Sequence, residues 1–236
     1  MVICWFSCGA TSAIATKITL QQRNDVRVIY INTGSEHPDS LRFLHDCEKW
    51  FKHPIEIYSS PKYKNHWDVI ERERFLNSPF GARCTLELKK KVRWYIEDEI
   101  KHWDAQIFGF DISETKRADR FREQYPTSKA YFPLIESQLS KSDCLALLRK
   151  ANIEIPMMYR LGYHNNNCVG CVKGGKGYWT KIKKDFPNVF DRMAKLERDL
   201  NCSCIKDCFL DELKPVDMPP IIESCSLFCN PEFINV

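Results

Sequence analysis

Three cysteines constrain the fold of this chain more than any other feature of its sequence. Cys168 and Cys171 form a Cys-x-x-Cys pair, which sets two thiols at the ends of a tight turn. Cys84 lies 84 positions before Cys168, so only a tertiary structure can bring it to the same centre. Three thiolates in this pattern favour zinc or an iron–sulfur cluster. The alternatives are buried free thiols or a redox dithiol.

The cysteine count and the first residues indicate a compartment. The 236 residues include 12 cysteines, a number that a secreted disulfide scaffold would also have. The chain opens with the strand-length apolar run Val2–Phe6, however, and shows no signal segment. No run approaches the roughly 18 apolar residues that span a bilayer. We therefore expect a cytoplasmic protein without membrane contact, whose thiols are reduced unless they bind metal or react.

Apolar periodicity predicts an α/β fold. Residues 2–6 and 26–31 have the pattern of buried parallel strands, and residues 12–22 have helical spacing, which makes a βαβ crossover. Further strands are predicted at 55–58 and 106–110, and further helices after Pro38 and at 67–76, 85–100 and 143–150. This alternation favours a Rossmann-like, mainly parallel sheet flanked by helices. The basic side chains expected on the outer face of the 85–100 helix are Lys89, Lys90, Lys91 and Arg93.

We divide the chain into two parts at residue 200. Residues 1–200 contain the strand and helix pattern, the three cysteines and a final helical pair broken at Pro187. Residues 201–236 are predicted to form a cysteine-rich C-terminal tail. Its cysteines are Cys202, Cys204, Cys208, Cys225 and Cys229. The first three have no role that the sequence indicates, although a second metal site is an alternative.

Polar, glycine-containing loops follow three of the predicted strands, at residues 7–12, 32–38 and 109–117. In open α/β sheets, ligands bind beyond the carboxyl ends of the strands, where helix N-termini attract phosphate. Arg117 can neutralise a phosphate or sulfate group, and the net charge of +4 is compatible with an anionic ligand. The loops therefore predict a nucleotide cleft, with ordinary capped βα loops as the alternative.

Several segments resemble, in order, those of one known family. The loop Ser7-x-Gly9-x-x-Ser12 is similar to the PP-loop of the adenine-nucleotide α-hydrolase superfamily. The further matching segments are Asn32-Thr33-Gly34, Arg83-Cys84-Thr85-x-x-Leu88-Lys89, Gly109-x-x-x-x-Glu114-x-x-Arg117, Pro133-Leu134 and Tyr159-x-x-Gly162-Tyr163 before the cysteine pair. Residues 2–171 thus resemble the phosphoadenylyl-sulfate (PAPS) and adenylyl-sulfate reductases, which are related to DNA phosphorothioation and tRNA thiolation enzymes.

The resemblance implies an adenine nucleotide over the first loop and a [4Fe–4S] cluster beside it. The implied nucleotide-binding residues are Ser7, Gly9, Thr11, Ser12, Asn32, Thr33, Gly34 and Gly109. The cluster would be held by Cys84, Cys168 and Cys171, with Cys229 or Cys225 as a fourth ligand, and zinc is the alternative metal. Reductases of the family end in a Glu-Cys-Gly-Leu-His segment, to which the region around Cys225 is similar. Cys225 is therefore the implied nucleophile, with Arg117 and Glu114 as its catalytic partners.

Three positions depart from the family pattern. Family members that bind an iron–sulfur cluster often have two cysteines in tandem where this chain has only Cys84. The fourth ligand of the cluster is therefore unassigned. Thr11 replaces the aspartate of ATP-splitting PP-loop enzymes, which disfavours ATP pyrophosphatase chemistry. Asn32 replaces an acid of the nucleotide site.

Three functions follow from these residues. The first is a sulfonucleotide reductase that acts on adenylyl sulfate or PAPS with a thiol donor such as thioredoxin. The second is an ATP-dependent sulfurtransferase that uses a sulfur donor to modify tRNA or DNA, which the basic stretch 173–184 mildly favours. The third is a zinc-stabilised nucleotide-binding module without turnover. The sequence leaves the oligomeric state open, a homodimer included.

Overall fold

The computed structural model describes residues 1–78 and 81–219 of the chain. The strands are β1 (Val2–Phe6), β2 (Val26–Asn32), β3 (Ile55–Ser59), β4 (Asn77–Ser78), β5 (Gly81–Ala82), β6 (Ala105–Ile107) and β7 (Ala130–Tyr131). The helices are α1 (Ala10–Gln22), α2 (Asp39–Phe51), α3 (His66–Glu73), α4 (Arg83–Thr85), α5 (Lys91–Ile100), α6 (Thr115–Gln124), α7 (Pro133–Glu136), α8 (Lys141–Lys150), α9 (Met157–Arg160), α10 (Lys176–Asp185) and α11 (Pro187–Leu200). A π-helical turn, Leu86–Lys90, joins α4 to α5. No helix in these ranges is long and apolar enough to cross a membrane.

The five main strands form one parallel sheet in the order β3-β2-β1-β6-β7. Alternate residues of β1 pack on opposite faces, with Cys4 and Phe6 in one apolar cluster and Ile3 in another. Because helices cover both faces, the central strand β1 is apolar throughout rather than alternating with polar residues. The prediction of a Rossmann-like, mainly parallel sheet flanked by helices is confirmed.

The elements differ from the predictions mainly where segments are short. Strand β6 ends at Ile107 rather than residue 110, and the two-residue strands β4, β5 and β7 were not predicted. Two residues cannot show the alternation from which a strand is recognised in a sequence. The helix predicted at 67–76 begins at His66 and ends at Glu73, whereas α1, α2, α8, α10 and α11 lie where helices were expected.

The residues just after α11 pack in a second apolar cluster, around the fully buried Trp179 of α10. Glu197 of α11 has no exposed surface and accepts two backbone hydrogen bonds, from Cys204 N to Oε1 and from Leu210 N to Oε2, both at 2.6 Å. This carboxylate thereby holds residues 204–210 against the helix. The division of the chain at residue 200 stays a prediction.

A half-buried ion pair fixes the loop before α9 against α2. Asp39 Oδ1 accepts from Arg42 Nε at 2.8 Å, and Asp39 Oδ2 accepts from the Met157 backbone N–H at 2.7 Å. Arg42 also donates to the carbonyls of Glu154 and Ile155, at 3.0 and 3.2 Å. The Arg42 guanidinium holds the pKa of Asp39 at about 2, below its ordinary value of 3.8.

We expect Asp39→Asn to lower the free energy of unfolding by about 1–2 kcal/mol at pH 7, because it removes a charge-assisted acceptor. A carboxylate whose pKa is lower in the folded than in the unfolded protein stabilises the fold at pH values above its unfolded-state pKa. This stabilisation is lost as the pH falls through the folded-state pKa and the carboxylate is protonated. The difference between variant and wild type should therefore shrink as the pH falls from about 4 to 2. Denaturant titrations across this range measure it, with the exposed Asp98→Asn as control. A difference that stays constant with pH would contradict the account.

Gly109 allows the chain just after β6 to lie close to the start of α1. A Cβ atom at this position would lie 2.6 Å from both the N and the Cα of Ser12, which are backbone atoms at the start of α1. We expect Gly109→Ala to cost about 1–3 kcal/mol, the usual range for overpacking. Gly175→Ala is the control, since a Cβ there meets no atom within 4 Å. Equal stability of the two variants in denaturant titrations would rule out this close packing.

Candidate functional site

A cavity of about 370 Å³ lies beyond the carboxyl ends of β1, β2 and β6. Its lining includes Ser7, Gly9, Thr11, Tyr30, Glu36, Lys89, Lys90, Arg93, Phe108, Gly109, Phe110, Glu114, Arg117, Lys141, Tyr159, Asn165 and Asn167. This is the edge of a parallel sheet at which ligands bind in open α/β folds. We refer to this space as the loop cavity, since the loop 7–12 forms one wall.

The loop 7–12 is held in shape by the hydroxyl of Ser12. Its Oγ accepts from the backbone N–H groups of Ser7 and Gly9, at 3.0 and 3.3 Å, and donates to the Gly9 carbonyl at 2.9 Å. The Tyr159 hydroxyl accepts from the Ala10 N–H at 3.4 Å on the other side of the loop. The loop is therefore preformed at the N-terminus of α1, where a phosphate is favoured.

The segment 32–34 divides between two roles. Asn32 Oδ1 accepts from the Gly34 N–H at 2.8 Å, which shapes the turn after β2, and Gly34 has a positive φ of 64°. Thr33 lines the cavity that contains the cysteines, which is described next. The structure thus assigns Asn32 and Gly34 to the geometry of the turn, and their predicted contact with a nucleotide stays a prediction.

A second cavity, of about 500 Å³, contains the three cysteines and is called the cysteine cavity here. Its lining includes Thr33, His66, Cys84, Thr85, Leu88, Lys89, Asp111, Glu114, Arg117, Lys141, Asn165, Asn167, Cys168, Cys171 and Lys173. The fold therefore brings Cys84 to the same cavity as the Cys-x-x-Cys pair. It also brings the predicted Glu114 and Arg117 to both cavities.

The Cys-x-x-Cys turn is fixed by hydrogen bonds from two sides. Val169 N donates to the Ser35 carbonyl at 2.9 Å, which attaches the turn to the loop after β2. The Tyr178 hydroxyl accepts from the N–H groups of Gly170 and Cys171, at 2.9 and 3.0 Å, and donates to the Cys168 carbonyl at 2.9 Å. Thr33 Oγ1 lies 3.5 Å from Cys168 Sγ. The turn is therefore part of the same edge as the loops that follow the strands.

The donor chemistry of the cysteine cavity fits a soft metal centre. Burial raises the pKa of Cys168 to about 12 and also raises the pKa of Cys84, so both are protonated thiols in the absence of a cation. In the described part of the chain, no three His, Cys, Asp or Glu side chains are grouped closely enough to hold one metal ion. Three thiols that share one cavity nevertheless supply the ligand type of zinc and iron–sulfur centres.

The two cavities are adjacent, because six residues line both, and together they are called the cleft here. These are Lys89, Glu114, Arg117, Lys141, Asn165 and Asn167. Lys141 Nζ donates to Asn165 Oδ1 at 2.7 Å, and Arg117 pairs with Glu114 and lies over the Phe110 ring at 4.1 Å. The wall that separates the nucleotide loop from the cysteines is thus mostly cationic and polar.

The predicted outward orientation of residues 89–93 is wrong for Arg93. Its side chain is 13% exposed, lines the loop cavity and lies 5.3 Å from the Tyr125 ring centroid. The exposed side chain of Lys89 lines the cysteine cavity rather than the outer face of the helix. Lys91 forms an ion pair with Glu87. The π-helical turn accounts for the difference, because it shifts the register that regular helical spacing assumes.

The last described residues cross the rim of the cleft. Val216 N donates to Thr180 Oγ1 at 3.1 Å, and His164 Nε2 donates to the Pro219 carbonyl. A third cavity, of about 320 Å³, is lined by residues 217–219 together with Asn165, Asn167, Cys171 and Lys173. Cys225 and Cys229 lie outside the described residues, so their predicted roles stay predictions.

Sequence comparison finds relatives among curated proteins. The uncharacterized protein MJ0973 of Methanocaldococcus jannaschii is 23% identical over 195 residues, which are 79% of this chain and 45% of that protein. The uncharacterized nin region protein ORF290 of Escherichia phage lambda is 24% identical over 196 residues, which are 71% of this chain and 64% of that protein. The chain therefore spans less than two thirds of the length of these relatives.

Comparison with solved structures supports the fold. The crystal structure of phosphoadenylyl-sulfate (PAPS) reductase from Candida auris, a phosphate complex, matches with a TM-score of 0.51 and 12% identity. The match covers 71% of this chain and 80% of that one. The family model of the phosphoadenosine phosphosulfate reductase domain matches residues 1–175, which confirms the resemblance seen in the motifs. The chain therefore belongs to the phosphoadenosine phosphosulfate reductase domain family.

Proposed function

We propose that this protein binds an adenylylated sulfate, either adenylyl sulfate or PAPS, and reduces its sulfur to sulfite beside a [4Fe–4S] cluster. The observation that carries the proposal is the adjacency of the loop cavity and the cysteine cavity, which share six lining residues. A nucleotide whose phosphate lies on the loop 7–12 would direct its sulfonyl group toward the cysteine cavity. The adenine and the reacting sulfur would then occupy different parts of one cleft.

The charge of the loop cavity supports an anionic substrate. Its cationic lining residues are Lys89, Lys90, Arg93, Arg117 and Lys141, against the carboxylates Glu36 and Glu114. A phosphosulfate carries charge on both its phosphate and its sulfonyl group, and guanidinium and ammonium groups bind such oxygens through charge-assisted hydrogen bonds. Lys89, Arg117 and Lys141 line both cavities, so they are the cations that support binding of the bridging anion.

Cys84, Cys168 and Cys171 would hold the cluster, because they are the thiols of the cysteine cavity. When bound, the cluster would supply a polarisable environment near the sulfonyl group rather than the electrons of the reaction. Thr33, at 3.5 Å from Cys168 Sγ, would support the orientation of that ligand.

The reaction itself uses two thiols as the reductant. The Cys225 thiolate attacks the sulfonyl sulfur, a sulfur–sulfur bond forms, and the bond from that sulfur to the phosphate oxygen breaks, which releases the nucleotide. A second thiol, from Cys229 or an external thioredoxin, then attacks the Cys225 sulfur and releases sulfite. The two thiols become a disulfide, and the sulfur gains the two electrons that they lose. Arg117 would stabilise the charge on the departing phosphate.

The path of the chain supports Cys225 as the nucleophile. Pro219 lines the same cavity as Cys171 and Asn165, at the rim of the cleft. Cys225 follows six residues later, and six residues span at most about 20 Å. Residues 216–219 are thus anchored beside the cysteine cavity, which supports the proposal that a thiol of the segment after them reacts there.

The first test compares the two cysteines at the C-terminus. We expect Cys225→Ser to lower sulfite release from adenylyl sulfate or PAPS at least about 1,000-fold, because a hydroxyl is a far weaker nucleophile than a thiolate. Cys229→Ser should still release one equivalent of nucleotide in a single turnover. Sulfite and nucleotide are measured separately under anaerobic conditions. Full activity of Cys225→Ser would contradict the proposed reductase. So would a protein that releases no sulfite but releases pyrophosphate from ATP when tRNA or DNA is added.

The second test addresses the anion site. We expect Arg117→Ala to weaken binding of adenylyl sulfate by about 10- to 100-fold, the effect of losing a charged hydrogen bond of roughly 1.5–3 kcal/mol. Lys116→Ala is the matched control, since Lys116 is the exposed neighbour on α6 and does not line either cavity. Calorimetry in the Cys225→Ser background, in which the first step of the reaction cannot occur, measures binding alone. If both variants bind equally well, Arg117 is not part of the anion site.

A further inference from the structure

Three consecutive asparagines, Asn165, Asn166 and Asn167, stand just before the Cys-x-x-Cys turn and are called the asparagine run here. The outer two are exposed, whereas Asn166 is 8% exposed. Among the described residues, Asn165 and Asn167 are the two that line the loop cavity, the cysteine cavity and the third cavity alike. The asparagine run therefore lies where these three spaces meet.

The middle residue of the run fixes its position. Asn166 Nδ2 donates to the Cys8 carbonyl at 2.7 Å and to Ser40 Oγ at 2.9 Å. Cys8 has a positive φ of 55°, which is uncommon for a residue other than glycine, so the bond to its carbonyl supports an unusual backbone conformation. Asn166 thus attaches the asparagine run to the loop 7–12 and to α2.

The two outer residues differ in their hydrogen bonds. Asn165 Oδ1 accepts from Lys141 Nζ at 2.7 Å, and Lys141 also donates to the His164 carbonyl at 3.2 Å. The side chain of Asn167, by contrast, makes no hydrogen bond to another residue in the described part of the chain. A carboxamide has two N–H donors. Asn167 is therefore the member of the run whose donors are available to a ligand.

We propose that Asn167 binds the sulfonyl group of the adenylylated sulfate through its side-chain N–H groups. The inference rests on the proposed function and deepens it. The sulfonyl sulfur is joined to the phosphorus through a single oxygen, so it lies next to the phosphate site at the loop 7–12. The proposed nucleophile Cys225 reaches it from the segment that ends at Pro219, which lines the third cavity. Asn167 lies at the junction of these approaches.

The chemistry of a carboxamide suits this position. The sulfonyl group carries one negative charge over three terminal oxygens, and hydrogen bonds to charged acceptors are stronger than those between neutral groups. Arg117 and Lys141 line both cavities of the cleft and supply the positive charge. A neutral amide adds donors there without adding a further charge. The nucleotide product, which lacks the sulfonyl group, has no acceptor for Asn167.

The test compares two ligands by calorimetry of the full chain in the Cys225→Ser background. We expect Asn167→Ala to weaken binding of adenylyl sulfate about 10-fold and binding of AMP less than about 2-fold, because AMP lacks the sulfonyl oxygens. Asn167→Asp should weaken binding of adenylyl sulfate further, since its carboxylate repels the sulfonyl group. Asn24→Ala is the matched control, because Asn24 is exposed and lines none of the three cavities.

The outcomes separate this inference from the proposed reaction. Unchanged affinity of Asn167→Ala for adenylyl sulfate overturns the role of Asn167 and leaves the reductase intact. An equal loss of affinity for both ligands also overturns it, because the effect is then on the phosphate site. The predicted difference in a protein whose wild type releases no sulfite supports the contact and contradicts the reaction. A wild type that binds AMP but not adenylyl sulfate overturns both. Circular dichroism of Asn167→Ala separates loss of the contact from loss of the fold.

Discussion

The attachment of the Cys-x-x-Cys turn to the loop after β2 is the interaction on which the site depends. The hydrogen bond from Val169 N to the Ser35 carbonyl joins segments more than a hundred residues apart, and the Tyr178 hydroxyl closes the turn from the other side. Ser35 also binds the backbone of His66, so one short loop positions both the cysteine pair and the buried imidazole.

This arrangement places at one sheet edge the two features that the proposed sulfur chemistry needs. The loop 7–12 and the N-terminus of α1 provide a place for phosphate, as in many nucleotide-binding α/β folds. A second cavity contains the three thiols and shares Lys89, Arg117 and Lys141 with the first. Membership of the phosphoadenosine phosphosulfate reductase domain family fits this geometry, whereas the choice of substrate and the reaction rest on the proposed roles of Arg117 and Cys225.

Much of the fold could be predicted from the sequence, because long apolar runs and helical spacing determine β1, α1, β2 and the helices that follow. The convergence of Cys84 on the cysteine pair could be predicted as well, since the motifs occur in the family order. Lys89 and Arg93 could not be oriented correctly, because a π-helical turn has no clear sequence signal and shifts the register. The burial of His66 could not be predicted, because a single histidine at the start of a helix does not indicate whether its ring is buried. Neither of its ring nitrogens has a hydrogen-bond partner among the described residues.

The central claim is that nucleotide and metal centre occupy one cleft, and a spectroscopic titration tests it most directly. Reconstituted protein, with its cluster reduced, is titrated with adenylyl sulfate while the cluster's electron paramagnetic resonance spectrum and the bound nucleotide are measured in parallel. The account predicts a change in the cluster spectrum that saturates together with nucleotide binding. Saturating nucleotide that leaves the cluster spectrum unchanged, or a fully active protein without iron, would contradict it.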